Sequence, residues 1–217
     1  MLALVVIALL PSISKANEIT ISQIGDDLLM DIEQDGNDHA IKKKTTASKI
    51  DGDRVAFTAR QNKSDNIVEY DQLVGNDNVF GFWQGENIYG WEASGSHGNN
   101  NYIDINVEGN NNEIGHQQLH NYHEVKTDID GDGNDVWTNQ QNYGAKSIDL
   151  TIKNDNNNVD IDQRNGNTAT SHTATIVLDG TYSTDLTLNQ TGWAANSYTL
   201  NQYCTNSAGC AVSVTQN

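Results

Sequence analysis

The chain has 217 residues, with 29 Asp and Glu against 12 Lys and Arg, a net charge of −17 and an isoelectric point near 4.4. A field of that sign repels nucleic acid and anionic lipid, which excludes them as partners. The chain also holds 29 Asn and 13 Gln but a single Pro, Pro11. Pro cannot donate to a strand ladder, so its absence beyond residue 11 suits continuous β pairing, and Asn and Gln suit stacked side-chain amides.

Residues 1–16, MLALVVIALLPSISKA, combine a run of about ten apolar residues with a small-x-small site at Ser14-Lys15-Ala16. This is the shape of a secretory signal peptide, without the usual positive start. The run is too short to span a bilayer, and no later stretch approaches transmembrane length. The expected mature chain, residues 17–217, is a single secreted domain with 11 Lys and Arg against 29 acids, a charge of −18.

From there one beat recurs, apolar-x-apolar-x-Gln and then a Gly/Asn turn. It starts at Ile19-x-Ile21-x-Gln23 and Met30-x-Ile32-x-Gln34, and continues at Phe57-x-Ala59-x-Gln61, Val68-x-Tyr70-x-Gln72 and Phe80-x-Phe82-x-Gln84. Val136-x-Thr138-x-Gln140, Val159-x-Ile161-x-Gln163 and Leu186-x-Leu188-x-Gln190 follow, then Tyr198-x-Leu200-x-Gln202 and Val212-x-Val214-x-Gln216. Ile103-x-Ile105-x-Val107, Val125-x-Thr127-x-Ile129 and Ile148-x-Leu150-x-Ile152 keep the alternation with an aliphatic residue in the Gln place.

Alternation over five residues is the period of a strand with one buried face. Gln118, Gln140 and Gln163 lie 22 and 23 residues apart, as do Val107, Ile129 and Ile152. These two interleaved columns predict an all-β fold, a β-solenoid with two short strands per ~23-residue turn and two parallel sheets face to face. Hairpins would pair adjacent strands through two-residue turns, whereas here identity recurs at every second strand. The 27-residue intervals from Gln34 to Gln61 and from Gln163 to Gln190, and the stretch CTNSAGC, read as loops from one solenoid.

Written out, the repeat is Gln-x-Gly-x-x-Asn-x-apolar-x-x-x-Gln, which resembles the curlin repeat of bacterial curli fibre subunits, the major fibre-forming one and the minor nucleating one. It stands at Gln61-x-x-x-x-Asn66-x-Val68-x-x-x-Gln72, with Lys63 in the Gly place, and at Gly109-x-x-Asn112-x-Ile114-x-x-x-Gln118. It recurs at Gly131-x-x-Asn134-x-Val136-x-x-x-Gln140 and Asn154-x-x-Asn157-x-Val159-x-x-x-Gln163, and Gln190-x-Gly192 to Gln202 fits with one insertion. The resemblance spans roughly residues 19–217. Val107, Ile129 and Ile152 replace the opening Gln, and Trp83, Trp91, Trp137 and Trp193 are unusual, so the likeness is to a divergent or minor subunit.

The resemblance implies a secreted functional amyloid of the biofilm matrix that polymerises end to end and uses no cofactor. Its partners would be further copies, related curlin subunits and an outer-membrane secretion machinery. The side chains expected to stack as ladders are Gln23, Gln34, Gln61, Gln72, Gln84, Gln118, Gln140, Gln163, Gln190, Gln202 and Gln216, with Asn66, Asn112, Asn134 and Asn157. Physically, buried amides must satisfy every donor and acceptor, and stacking one turn on another does so. A solenoid leaves a strand edge at each end, and the pattern from Ile19 to Gln216 contains no evident capping segment.

Other constellations have plainer readings. Asp128, Asp130 and Asp132 before Gly133 look like the opening of a calcium loop, but the twelfth position is Asn139 rather than Glu and the flanks are strands. They read as a turn of the repeat, with weak calcium binding as the sharper alternative. His116, His120 and His123 could be a zinc or copper set, yet a strand puts the first two on one face and the third on the other. Lys42, Lys43 and Lys44 read as a solvated loop. Cys204 and Cys210, the only cysteines, read as a disulfide in an exported chain.

No G-x-S-x-G, phosphate loop or H-E-x-x-H is present, so no enzyme is expected. The expected function is a secreted structural fibre subunit. The alternative is a monomeric or capped solenoid that serves as a surface adhesin or cation-binding module.

Overall fold

The computed structural model describes residues 18–19, 29–34, 40–43, 49–50, 56–61, 65–73, 79–84, 100–164 and 171–217. The expected signal peptide (1–16), Gln23 and Trp91 lie outside them. The described residues form strands and turns, without a helix. In chain order the first strands are β1 (Glu18–Ile19), β2 (Leu29–Gln34), β3 (Ala40–Lys43), β4 (Lys49–Ile50), β5 (Ala56–Gln61) and β6 (Ile67–Leu73). Next come β7 (Val79–Gln84), β8 (Tyr102–Val107), β9 (Glu113–Gln118), β10 (Asp135–Gln140) and β11 (Lys146–Ser147). The last are β12 (Asn158–Gln163), β13 (His172–Gly180), β14 (Thr184–Gln190), β15 (Asn196–Cys204) and β16 (Cys210–Gln216).

The strands pair in parallel with partners at least 22 residues away; β9 and β10 are consecutive named strands and pair too, the chain between them running back along the other sheet. One sheet runs β16-β14-β12-β10-β9-β7-β5-β2. The other is in two parts, β1-β3-β6 with β4 and β8 also on β6, and β11-β13-β15. Bridges from Tyr102 to Glu124 and from Glu124 to Ser147 join the parts. This is the β-solenoid that the period predicts. Register in the eight-stranded sheet does not slip, so β7 matches β9 residue for residue from Val79↔Glu113 to Gln84↔Gln118 across a long insertion.

Alternate residues point inward and stack in columns. Phe80, Ile114, Val136, Val159 and Leu186 form one column of the first sheet; Val68, Ile103, Val125 and Ile148 face from the second, and all are at most 2 % exposed. Each such side chain contributes roughly 1.5–3 kcal/mol when fully buried. A one-residue slip would turn the whole set outward, which is why the register holds.

The turns are made by Asn and Gly because the chain must enter the left-handed region there. Asn111, Gly133 and Asn156 have φ of 54°, 66° and 57°, each just before the buried Asn112, Asn134 or Asn157. Asp65, Asn100 and Tyr122, with φ of 61°, 57° and 65°, stand likewise before Asn66, Asn101 and His123. Asn and Asp tolerate this region better than other side chains, and Gly best of all. Gly109 and Gly131 answer a different need. A Cβ on Gly109 would lie 2.0 Å from the Gly131 carbonyl oxygen, and one on Gly131 2.2 Å from that of Asn154.

Three expectations need correcting. Val125–Ile129 and Ile148–Ile152 are not regular strands, although Val125, Thr127, Ile129, Ile148, Leu150 and Ile152 are all buried in alternation. Positive φ at Asp128 (131°), Asp130 (83°) and Leu150 (52°) breaks the pleat, leaving separate bonds such as Ile129 N–H to Asn106 O and Thr151 N–H to Ile176 O. Gln72 is displaced from its expected column by a register shift between Tyr70 and Leu73, so that Leu73 pairs with Val107. Lys42 and Lys43 belong to β3 rather than a loop, and Lys42 Nζ meets Glu69 Oε1 at 2.8 Å on the neighbouring strand.

Candidate functional site

The most ordered polar feature is a column of Gln at the end of every strand of the eight-stranded sheet. Gln34, Gln61, Gln84, Gln118, Gln140, Gln163, Gln190 and Gln216 are consecutive register partners. From Gln118 onward the amides are bonded to each other. Nε2 of Gln118 donates to Oε1 of Gln140 (2.9 Å), Gln140 to Gln163 (3.0 Å), Gln163 to Gln190 (2.7 Å) and Gln190 to Gln216 (2.8 Å). The second hydrogen of each Nε2 crosses to the opposite sheet, to the carbonyls of Tyr102, Glu124, Ser147, Thr173 and Ser197 in turn. From Gln118 to Gln216 the column therefore ties turn to turn and sheet to sheet. Gln72 and Gln202 stand in the other sheet, where Gln202 pairs with the aliphatic Leu178, and neither joins this column.

A second ladder runs where the chain returns to the eight-stranded sheet. Asn134 donates both its backbone N–H (2.9 Å) and its Nδ2 (3.1 Å) to Asn112 Oδ1, and Asn157 does the same to Asn134 Oδ1 (2.9 and 2.8 Å). Thr184 N–H ends the series on Asn157 Oδ1 at 2.7 Å. The amide-to-amide bonds of this ladder point back toward lower-numbered turns, whereas those of the Gln column point toward higher-numbered ones; Asn112 Nδ2 itself goes to Gly131 O.

At the opposite corner, Asn66, Asn101, His123, Lys146, His172 and Asn196 occupy equivalent places in successive turns. Asn66 Oδ1 accepts Asn101 N–H, and Asn101 Oδ1 accepts His123 N–H. His123 Nε2 donates to Leu119 O, His172 Nε2 to Arg164 O, and Lys146 Nζ to the carbonyls of Tyr143 (2.6 Å) and Gly144 (2.9 Å). Burial pushes His123 down to about 3 and Lys146 to about 8, and it lowers His172, with the Lys146 charge adding to the effect on both histidines. Only Asn66 of this column was expected as a ladder residue. The available signal was that each member stands two residues before an inward apolar position, despite differing chemistry.

The histidine trio does not converge. His116 lies wholly inside the core, its Nδ1 at 2.8 Å from Thr138 Oγ1 and its Nε2 at 2.8 Å from Thr127 Oγ1, a polar crossbar from the eight-stranded sheet to the facing segment Val125–Ile129. Desolvation pushes it down to about 3. His120 is in a turn, its ring 5.0 Å from that of Tyr143, and His123 fills the corner. The acidic trio is also divided. Asp132 Oδ1 accepts Asn110 N–H (2.7 Å), whereas Asp128 and Asp130 line a surface depression of about 120 Å³ with Asn106 and Glu108. Among the described residues no group of three His, Cys, Asp or Glu is placed to hold a metal ion.

Cys204 and Cys210 are disulfide-bonded. Comparison with known proteins finds no matching family model, no matching curated protein and no matching solved structure. Among the described residues no helix is long and apolar enough to cross a membrane.

Proposed function

We propose that the chain is a secreted structural subunit of a curli-like functional amyloid fibre, serving a biofilm matrix or surface adhesion and growing by end-to-end addition of copies. The observation that carries this reading is the unbroken Gln column, whose register is kept through eight parallel strands. Parallel, in-register strands with stacked amides are the repeating element of cross-β fibres, and a turn that satisfies its neighbour within the chain can satisfy the same groups in another copy. Partners under this reading are further copies, related curlin subunits and an outer-membrane secretion machinery. We read the protein as non-enzymatic, a scaffold rather than a cleft.

A second reading, a non-polymerising adhesin or cation-binding module, draws on exposed rings. Tyr122, Tyr143 and Trp193 are 65 %, 56 % and 71 % exposed in turns that follow the Gln column. Electron microscopy and amyloid-dye fluorescence of the purified chain, with and without preformed seeds, separate the two. Filaments that bind the dye support the subunit; a chain that stays monomeric for days at high concentration with seeds present refutes it. Seeding of a related curlin subunit then distinguishes a nucleator from a major subunit.

A further inference from the structure

The disulfide occupies two particular places in the repeat. Gly109, Gly131, Asn154, Gly180 and Cys204 stack as one column in successive turns, and Asn112, Asn134, Asn157, Thr184 and Cys210 as another. In the turn from Ile152 to Asn157 these places are joined by hydrogen bonds, Asn157 Nδ2 reaching Asn154 O (3.1 Å) and Asn154 Oδ1 (2.9 Å). In the turn from Gln202 to Cys210 the same two places are joined by the sulfur bond.

The substitution comes where the Asn ladder stops. Thr184 gives its N–H to Asn157, but its own Oγ1 is buried without a hydrogen-bond partner, and Cys210 above it bears no amide. Besides the sulfur bond, the arc between β15 and β16 is tied to the turn below by Cys210 N–H to Ser183 O and by Thr181 and Tyr182 N–H to Cys204 O, and is closed locally by Gly209 N–H to Asn206 O and Ala208 N–H to Asn206 Oδ1. The strands it joins carry a half-buried inward face, Tyr198, Leu200, Val212 and Val214, packed against the core on one side. The arc that joins them carries no amide ladder of its own, while β15 and β16 are held to β13 and β14 by backbone pairing and Gln216 belongs to the Gln column.

We propose that oxidation of Cys204 and Cys210 is the switch that makes the β15–β16 turn a template for another copy. This rests on the subunit reading above. A disulfide donor RSSR, whether a small molecule or a protein, is attacked by one cysteine thiolate. The mixed disulfide is then displaced by the other thiolate, so that two RSH leave carrying the two electrons and two protons. A thiol-reducing compartment holds the chain with this turn loose, and an oxidising one closes it. Closure keeps Val212, Val214 and Gln216 in register over Leu186, Leu188 and Gln190.

The test is residue-resolved amide hydrogen exchange and seeded elongation of four samples: the oxidised chain, the same chain with a thiol reductant, C204S/C210S, and C204G/C210N. The last restores the Gly and Asn that earlier turns carry. Reduction or the Ser pair is expected to speed exchange at residues 198–203 and 211–216 at least tenfold, with residues 114–118, 136–140 and 159–163 unchanged. Elongation should slow at least fivefold. C204G/C210N should regain both and ignore the reductant. A Ser pair that exchanges and elongates like the oxidised chain overturns the proposal. An oxidised chain that never elongates, while reduction still loosens the turn, refutes instead the subunit reading and the template role that depends on it.

Discussion

At the scale of single residues, the Gln column makes its members unequal to any apolar replacement. Gln140 accepts from Gln118 and donates to Gln163 Oε1 and to Glu124 O, which also takes Ile148 N–H, so Gln140→Leu strands one donor and one acceptor inside the protein. Unsatisfied buried groups cost about 1–3 kcal/mol each, and partial relaxation makes a loss of about 2–4 kcal/mol the expected outcome of a urea titration. Gly115 makes a different point. A Cβ there would lie 2.2 Å from the Trp137 ring, which lies over it on the next strand. Gly115→Ala is expected to cost about 1–3 kcal/mol by overpacking, and nearly nothing in a Trp137→Thr background, where the ring is gone. A double-mutant cycle by urea titration measures that coupling. The Gln positions were legible in sequence because an inward Gln at a fixed beat has few other uses. The pairing of Gly115 with Trp137 was not, since the two meet only across a strand boundary that the residues between them do not reveal.

At the scale of elements, the corners and the core crossbar set a pH response. His116 and His123 are held near 3 against an ordinary 6.5, each chiefly by burial, and His172 is lowered for the same reason. The unfolded chain takes up protons below about 6.5 that the folded one refuses, so the stability present above that pH is lost as pH falls from 6.5 toward 3. The slope is about 1.4 kcal/mol per pH unit for each deeply buried histidine. Asp162, raised by burial, acts in the opposite sense over its own range. The melting temperature is therefore expected to drop steadily between pH 6.5 and 4, and less steeply in H116L/T127V/T138V, where an apolar crossbar replaces the titrating one. A melting temperature flat across that range would show that these histidines gain protons without cost. The alternation of Val125–Ile129 and Ile148–Ile152 predicted which side chains are buried but not that the backbone leaves the sheet. Inward and outward positions depend on residue type, whereas the break depends on left-handed backbone at Asp128, Asp130 and Leu150, and Leu150 carries no local signal for it.

At the scale of the whole molecule, a charge of −17 opposes the approach of a second copy. Strand layers are about 4.8 Å apart. Stacked chains therefore hold their end charges within a Debye length, about 8–10 Å at ordinary salt. If the chain is the fibre subunit proposed above, elongation is expected to accelerate with sodium chloride, with calcium and as pH falls toward the isoelectric point, until loss of the folded state at the acid end reverses the gain. Rates that stay flat against all three would show that repulsion does not limit growth. Saturation by one tightly bound calcium per chain would instead return attention to Asp128 and Asp130. The parallel two-sheet architecture was readable because the period is a whole-chain property that local insertions interrupt without erasing. The opposed directions of the two amide ladders were not, since Gln and Asn look alike from either end. That opposition has a consequence for how layers recognise one another. A layer turned upside down would set hydrogen against hydrogen in one column and lone pair against lone pair in the other. Mistaken orientation is thus sensed twice, at two separated points of the same cross-section, before any apolar contact has formed.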